Sequence, residues 1–273
     1  MIEEMVQLFN ESKLTEAIQI GNDAVAKNPR DLEVRIVLAQ LVCFTGNWDR
    51  VEKITGQLLA LDSERSHAAL TNLISKLASG EVRRKAVWDE GVMPDFVQPP
   101  DEATKKTLWA MNCYRAGNAS EFVESVDLAL ENAGEQRVTI DGASFDGFRD
   151  LDDTTCTVLE AHTLQGVYCW VPMAGIRSID VAKPTRLVDH LWAAARIELE
   201  DNKKLSVYLP TTYYHSFDTD VSDSIRLGRE TVWVDDDALG LSECKGRGRR
   251  IFVAGDDEFT VFDLVDAKLE RVE

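Results

Sequence analysis

The stretch KLTEAIQIGNDAVAKNP, residues 13–29, decides the first half of the fold by its periodicity. Its small and apolar residues recur at intervals of three and four, which places them on one side of an α-helix. Pro29 then ends this helix and Asp31 begins another. The residues on the apolar side are Leu14, Ala17, Ile18, Gly21, Ala24 and Val25. The segment therefore predicts an amphipathic helix that packs against helical neighbours.

Helical periodicity extends from this segment to about residue 134. Further helices are predicted at 31–48, 47–64, 64–81, 104–118 and 118–134. Residues 14–17 align with residues 48–51 at the spacing of a tetratricopeptide-type repeat. The segment 90–102 holds three of the seven prolines and predicts a loop between the helical pairs. The sequence thus predicts helical hairpins in a tetratricopeptide-like repeat.

After Gly134 the apolar residues alternate with polar ones, as in β-strands. Strands are predicted at 156–163, 166–173, 194–201, 204–210, 230–237, 249–255, 258–264 and 267–272. Several short strands at close spacing favour an antiparallel sheet curled into a barrel or a small sandwich. We therefore predict an α+β protein, with a tetratricopeptide-like α-helical repeat domain at 1–134 and a mainly antiparallel β domain at 135–273.

The basic stretch KGRGRR, Lys245 to Arg250, stands out in a chain of formal net charge −18. A phosphate-binding P-loop would need a following helix, whereas a hairpin around Asp256 and Asp257 is predicted here. Gly246 and Gly248 would then supply the unusual backbone angles of a turn into that hairpin. We expect the four bases to pair with nearby carboxylates or with an acidic partner, and the role of the stretch stays open.

Composition excludes several classes of function. The acidic balance disfavours broad binding to nucleic acid or to anionic lipid. Apolar runs are too short for a membrane span, and the acidic, amphipathic start is neither a signal nor a transit peptide. The five scattered cysteines form no CxxC pair, which favours free thiols in a reducing compartment. We expect a cytoplasmic protein without a cofactor or a metal.

No motif for catalysis or metal binding is specific. Cys156, His162 and Cys169 have no metal-ligand spacing, and 215–224 lacks the glycine and the terminal Glu of an EF-hand loop. A hydrolase site near His215, with Tyr213 and Asp218, is an alternative, although nearness in sequence does not establish the geometry of a catalytic triad. The prediction is a protein without catalytic residues.

Aromatic residues are grouped in the second half of the chain. They are Tyr168, Trp170, Trp192, Tyr208, Tyr213, Tyr214, Phe217 and Trp233. Most would belong to the core, because alternate residues of a strand face inward. Some could instead line a groove for a partner, where Tyr and Trp are effective anchors. Tyr213 and Tyr214, in an expected loop, are the better interface candidates.

Several of these segments together resemble the ImpE family, also called TagJ or SciE-type proteins. They are VYCWVPMAGIRSI (167–179), LVDHLWAAARIEL (187–199), VYLPTTYYHS (207–216), IRLGRETVW (225–233) and GRGRRIFVAGDDEF (246–259). The helical stretch 38–61 is also similar to that family's repeat, so the resemblance covers nearly the whole chain in order. The basic 245–250 stretch carries more charge than the family's loop.

The resemblance implies a non-enzymatic, cytoplasmic accessory protein of the bacterial type VI secretion system. It implies binding to the N-terminal helix of the small subunit of the contractile sheath, and thereby an indirect link to the ClpV ATPase. Partner-binding candidates are Trp192, Tyr213, Tyr214, Arg226, Arg229 and Trp233. An alternative is a general tetratricopeptide-like scaffold in another complex. Helical repeats and an acidic surface suit recognition of a helical segment in either case.

Overall fold

The structure, a computed structural model, describes residues 1–236 and 239–272. Asp237, the last residue of the predicted strand 230–237, lies outside the described residues. The same holds for the side chain of Cys244, whereas the thiols of the other cysteines, Cys43, Cys113, Cys156 and Cys169, are free and buried. Among the described residues, no helix is both long and apolar enough to cross a membrane.

The first half of the chain is helical, as predicted. The helices are α1 Ile2–Asn10, α2 Leu14–Lys27, α3 Leu32–Cys43, α4 Trp48–Leu61, α5 Ala68–Lys85, α6 Glu102–Arg115 and α7 Ala119–Ala133, with a short α8 at Asp223–Arg226. Side-chain caps set two of the starts, because Asp31 accepts from the Val34 amide and Asn47 from the Arg50 amide, both at 3.1 Å. Helix α5 passes through Gly80 and extends beyond the predicted end at 81, because this glycine packs against His162 instead of ending the helix.

The second half consists mainly of antiparallel strands. They are β1 Asp95–Phe96, β2 Gln136–Ile140, β3 Ala143–Asp146, β4 Arg149–Asp150, β5 Val158–Thr163, β6 Tyr168–Pro172, β7 Ile176–Val181, β8 Trp192–Leu199, β9 Lys204–Pro210, β10 Thr231–Asp236, β11 Leu241–Gly248, β12 Ile251–Ala254, β13 Asp257–Thr260 and β14 Ala267–Arg271. Nine strands form one sheet in the order β1-β6-β5-β9-β8-β7-β14-β2-β3, in which only β1 and β6 are parallel. The α+β class is confirmed, whereas the tetratricopeptide-like and the barrel- or sandwich-like details stay predictions.

The expected hairpin is present, because β12 pairs with β13 from Ile251↔Thr260 to Ala254↔Asp257. The expected turn just before it is wrong. Residues 245–248 lie in β11 and pair with β10, from Val234↔Lys245 to Thr231↔Gly248. Gly246 pairs with Trp233 in this ladder, and the Tyr213 ring lies where a Cβ atom would be, so the position requires a glycine.

The two halves share one hydrophobic core. Buried residues of α1 to α5 pack in one cluster with Val188, Leu191, Trp192 and Leu227 from the second half. A second cluster lies under the nine-stranded sheet and joins β2, β7 and β14. Helix α7 ends at Ala133 and β2 begins at Gln136, so the division at 134 coincides with a change of secondary structure. Its standing as a domain boundary stays a prediction.

Replacing Gly248 by alanine is expected to lower the free energy of unfolding by about 2–3 kcal/mol. Gly248 has φ +100°, and a Cβ atom there would overlap the carbonyl oxygen of Glu230. Urea denaturation measures the loss. Gly142→Ala is the matched control, since Gly142 has φ +80° with no neighbouring atom within 4 Å, and should cost about 1 kcal/mol. Equal costs for both variants would contradict the overlap at Gly248.

Candidate partner-binding groove at the helix–sheet junction

A buried network of charges joins the helices to the sheet, with Glu160 of β5 at its centre. The Arg84 guanidinium of α5 donates two hydrogen bonds to Glu160, at 2.9 and 2.7 Å. Arg250 and the Tyr168 hydroxyl also bond to this carboxylate, and the indole of Trp88 donates to it at 3.1 Å. Burial alone would raise the pKa of Glu160, but the two guanidiniums outweigh it and hold the pKa well below its ordinary value.

A second carboxylate, Glu81 of α5, extends the network. It bonds to His162 Nε2 at 3.0 Å and accepts from the Trp192 indole at 2.8 Å. Arg84 also approaches it, at 3.5 Å. Burial opposes ionisation of Glu81, yet Arg84 and His162 hold its pKa below the ordinary value. The helical half is thus bonded through α5 to strands β5 and β8.

A third carboxylate, Asp150 of β4, completes the network on the side of β12. It accepts from Arg250 Nη1 at 2.7 Å and from the hydroxyls of Tyr213 at 3.1 Å and Thr155 at 3.0 Å. Burial raises the pKa of Asp150 to about 7, against the opposing effect of Arg250. These side chains are buried, so the network links the two halves of the chain inside the protein.

A surface groove of about 480 Å³ lies beside this network. Its lining is Gly46, Trp48, Lys85, Asp89, Tyr214, His215, Phe217, Asp218, Thr219 and Asp220. The Tyr214 ring stacks on Trp88 at 5.2 Å between centroids, and its hydroxyl donates to Asp89 at 2.8 Å. Phe217 packs edge-on against Trp48 at 5.4 Å. We call this the junction groove.

A second cavity, of about 330 Å³, lies between α4 and α5, and Trp48 lines both it and the junction groove. The other residues of this second cavity are Asp49, Glu52, Ser75, Ala78, Ser79 and Val82. Val82 is 52% exposed and gives the second cavity an apolar contact point. Asp49 and Glu52 place carboxylates along it. The two cavities together combine aromatic and aliphatic side chains with several carboxylates and one lysine, Lys85.

The basic stretch contributes ion pairs to this region, as expected from the sequence. Arg247 pairs with Asp218 at 2.8 Å and with Asp220 at 3.2 Å. These two aspartates were weighed as calcium ligands, and the guanidinium instead engages them. Asp218 also lies 3.5 Å from His215 Nδ1. Among the described residues, no three His, Cys, Asp or Glu side chains converge as metal ligands.

The predicted partner-binding residues separate into two groups. Tyr214 lines the junction groove, and Arg226 borders it through a bond from Nη2 to the Asp218 carbonyl at 2.9 Å. Trp192 and Tyr213 are only 1% and 2% exposed and belong to the core, so their part in partner binding stays a prediction. Their polar atoms are bonded inside the network, so neither can contact a partner on this surface.

The last two predicted residues lie outside the lining of the junction groove. Arg229 is exposed beside α1, and Trp233 is half-buried against the Tyr213 ring at 5.6 Å. Trp48 and Val82 were not among the candidates from the sequence, whereas Phe217 was one of the grouped aromatic residues. The available signal for Trp48 was an aromatic residue at the first turn of a helix, directly after the Asn47 cap.

The hydrolase alternative required Tyr213, His215 and Asp218 to act together. The Tyr213 hydroxyl instead donates to Asp150 and accepts from the Ile251 amide at 3.0 Å, inside the protein. Burial and the neighbouring Asp150 raise the pKa of Tyr213 well above its ordinary value, so it does not ionise readily. The expected trio is therefore not assembled.

The chain is similar to known proteins in sequence and in fold. Residues 142–268 match the family model described as ImpE protein. The chain is 27% identical over 267 residues to the type VI secretion system accessory component TagJ of Pseudomonas aeruginosa, covering 97% of this chain and 90% of that protein. The crystal structure of protein VPA1032 from Vibrio parahaemolyticus shares the fold, with a TM-score of 0.87, 21% identity and coverage of 98% of both chains.

Proposed function

We propose that the chain is a member of the ImpE family, whose model matches residues 142–268, and an accessory protein of the bacterial type VI secretion system. The likeness to TagJ along 97% of the chain supports this role. The protein would act by binding in the cytoplasm, without catalysing a reaction. Its partner would be the small subunit of the contractile sheath, bound through a helix at that subunit's N-terminus.

The single observation that carries this proposal is the shape and chemistry of the junction groove. Amphipathic helices bind by laying apolar residues, spaced by one turn, into an apolar groove. Trp48, Phe217 and Val82 form such an apolar floor along the groove and the second cavity.

The charges of the groove indicate the polar side of the partner helix. Asp49 and Glu52 have no cationic partner within 4 Å in the part of the chain that the structure describes. Basic residues on the partner would meet them at the rim, where such pairs favour association and correct orientation. We expect a helix with an apolar stripe and Lys or Arg beside it. Binding of that helix would link the protein indirectly to sheath handling by the ClpV ATPase.

Replacing Val82 by aspartate is expected to weaken binding of the sheath-subunit helix about tenfold or more. The change puts a charge on the apolar floor. Because Val82 is exposed, the substitution should leave α5 folded. Fluorescence anisotropy of a labelled peptide from the N-terminal helix, titrated with the intact protein, measures the dissociation constant. The matched control is Val123→Asp on α7, which is similarly exposed at 46% and lies outside the groove.

Three results are informative in this titration. Loss with Val82→Asp and unchanged binding with Val123→Asp would support the groove. If both variants bound the peptide with the affinity of the unchanged protein, the junction groove would not be the binding site, although the sheath subunit would still be the partner. Absence of binding by the unchanged protein would overturn the sheath subunit as partner and favour a scaffold in another complex, for which co-purifying proteins would be the next measurement.

A further inference from the structure

Three basic side chains from separate segments meet beside α1: His190, Arg229 and Arg249. The Phe9 ring of α1 lies between two of them, 5.3 Å from the Arg229 guanidinium carbon and 5.7 Å from the His190 ring centroid. Arg249 donates from Nε to the carbonyl of Gly228 at 2.7 Å, directly before Arg229 in the chain. Both guanidiniums are therefore held in place from one side.

This cluster has no acidic counterpart, although acids outnumber bases 48 to 30 in the chain. Among the described side chains, which do not include that of Glu243, no carboxylate oxygen lies within 4 Å of a side-chain nitrogen of His190, Arg229 or Arg249. The nearest acid in sequence, Asp189, is instead bonded by Arg186 at 2.8 Å. Arg247 and Arg250, from the same basic stretch, both have carboxylate partners.

The electrostatic effects within the cluster are unfavourable. Burial and then Arg229 lower the pKa of His190, Arg249 adds to this, and Asp189 acts in the opposite direction. Burial and Arg249 also lower the pKa of Arg229. Two like charges thus lie near each other beside a neutral imidazole, which is a cost that a bound anion would remove.

We propose that His190, Arg229 and Arg249 form a binding site for a carboxylate. The planar fork of an arginine matches the two oxygens of a carboxylate, and the cluster offers two such forks. The chain's net charge of −18 opposes the approach of polyanions, which favours a ligand of low charge. The half-buried Phe262 ring, 6.1 Å from His190, offers an apolar contact to the organic body of such a ligand.

Carboxylate binding would favour the protonated form of His190, because an added negative charge stabilises the imidazolium. The groups facing this ring are Phe9 from α1, Phe262, Arg229, Arg249 and its neighbour Asp189. Its titration therefore reports directly on occupancy of the site. The carboxylate can come from an acidic side chain of a polypeptide or from a free organic acid, and the site recognises the same group in both.

The test is an NMR titration of the four histidine ring signals in the intact protein, with His190 assigned by loss of its signal in His190→Gln. Succinate, the blocked tripeptide acetyl-Ala-Glu-Ala-amide and inorganic phosphate are added separately at constant ionic strength. We expect succinate or the tripeptide to raise the His190 pKa by about one pH unit at saturation. Arg249→Gln should weaken that effect about tenfold.

Arg196→Gln is the control, because Arg196 is exposed and paired with Asp180 at 2.8 Å on the sheet. It should leave the titration unchanged, and thermal unfolding checks that all variants are folded. A response to the tripeptide identifies a polypeptide as the source, and a response to succinate alone identifies a free acid. No shift of the His190 pKa with either, an equal shift with phosphate, or an equal response of Arg249→Gln would overturn the proposal.

Discussion

Replacement of Glu160 by glutamine is expected to lower the free energy of unfolding by about 3–5 kcal/mol. The change removes the charge that Arg84 and Arg250 share in the interior. Arg84 would keep only the more distant Glu81, at 3.5 Å, and Arg250 would keep Asp150. An amide also donates hydrogen bonds, so it would face the indole donor of Trp88 unfavourably. Urea denaturation followed by circular dichroism measures the loss.

The control for this prediction is a surface carboxylate with the same number of basic partners. Glu198 lies 3.5 Å from Arg177 and 3.3 Å from Lys204 on the sheet surface, and Glu198→Gln should cost less than about 1 kcal/mol. A loss at Glu160 no larger than at Glu198 would show that the buried network contributes little. Failure of Glu160→Gln to fold, with Glu198→Gln folded normally, would agree with the prediction.

The effect of Glu160→Gln on the free energy of unfolding is expected to depend on pH. The pKa of Glu160 is lower in the folded protein than its ordinary value of 4.5, so its charge stabilises the fold above that pH. The stabilisation is lost as the pH falls below about 4.5, toward the folded-state pKa. The stability difference between the unchanged protein and Glu160→Gln should therefore shrink between pH 5 and pH 3. A constant difference over this range would contradict the low pKa.

Replacement of Trp192 by alanine is expected to cost about 3–5 kcal/mol. The Trp192 ring is buried 5.9 Å from Trp48, and its indole donates to Glu81. Alanine leaves a cavity in the core that the two halves share. Trp192→Phe keeps most of the volume and loses the hydrogen bond, so it should cost about 1–3 kcal/mol.

The exposed Trp109 of α6 is the matched control, since it is 53% exposed and Trp109→Ala should change stability by less than about 0.5 kcal/mol. The comparison also tests whether Trp192 is a core residue. If Trp192→Ala weakened binding of the sheath-subunit peptide while leaving the unfolding transition unchanged, Trp192 would be a surface contact after all. We expect the reverse, a large change in unfolding.

The helical half could be predicted closely because its signals are local. The apolar stripe of 13–29, the stop at Pro29 and the caps at Asp31 and Asn47 all act within one or two turns. The strands β5, β6, β9 and β12 were found for a similar reason, since each is an alternating or continuous apolar run. Fold class therefore followed from periodicity.

Two of the strands that were missed, β2 and β7, both pair with the distant β14. Strand β2 also pairs with the adjacent β3 across the Asp141–Gly142 turn, and an Asp-Gly pair between short strands is a local hairpin signal that was available. The glycines of the segment that forms β11 predict a turn, whereas the structure has a strand there. One of these, Gly246, accommodates the Tyr213 ring in an extended strand, and no local pattern distinguishes that use from a turn.

The groove was harder to predict than the fold because burial depends on tertiary contacts. The sequence predicts Tyr213 in an exposed loop. In the structure its hydroxyl donates a hydrogen bond to Asp150 in the interior, so the side chain is buried. Glu160 lies within an apolar run, which signals a buried charge. Its partners Arg84 and Arg250 are 76 and 90 residues away in sequence, beyond any spacing rule. The sequence therefore indicated aromatic anchors without locating them.

The position of β14 in the sheet has a consequence for biosynthesis. Strand β14 lies between β7 and β2, pairing Ala267 with Ile179 and Leu269 with Val138. On the ribosome, the β2–β3 hairpin emerges long before β14 and has no neighbour to join. The nascent chain would carry two separate ribbons with unpaired edges until the last strand is released. The sheet is thus completed only after β14 has emerged from the ribosome, and until then the edges of β7 and β2 stay open to pairing with other strands.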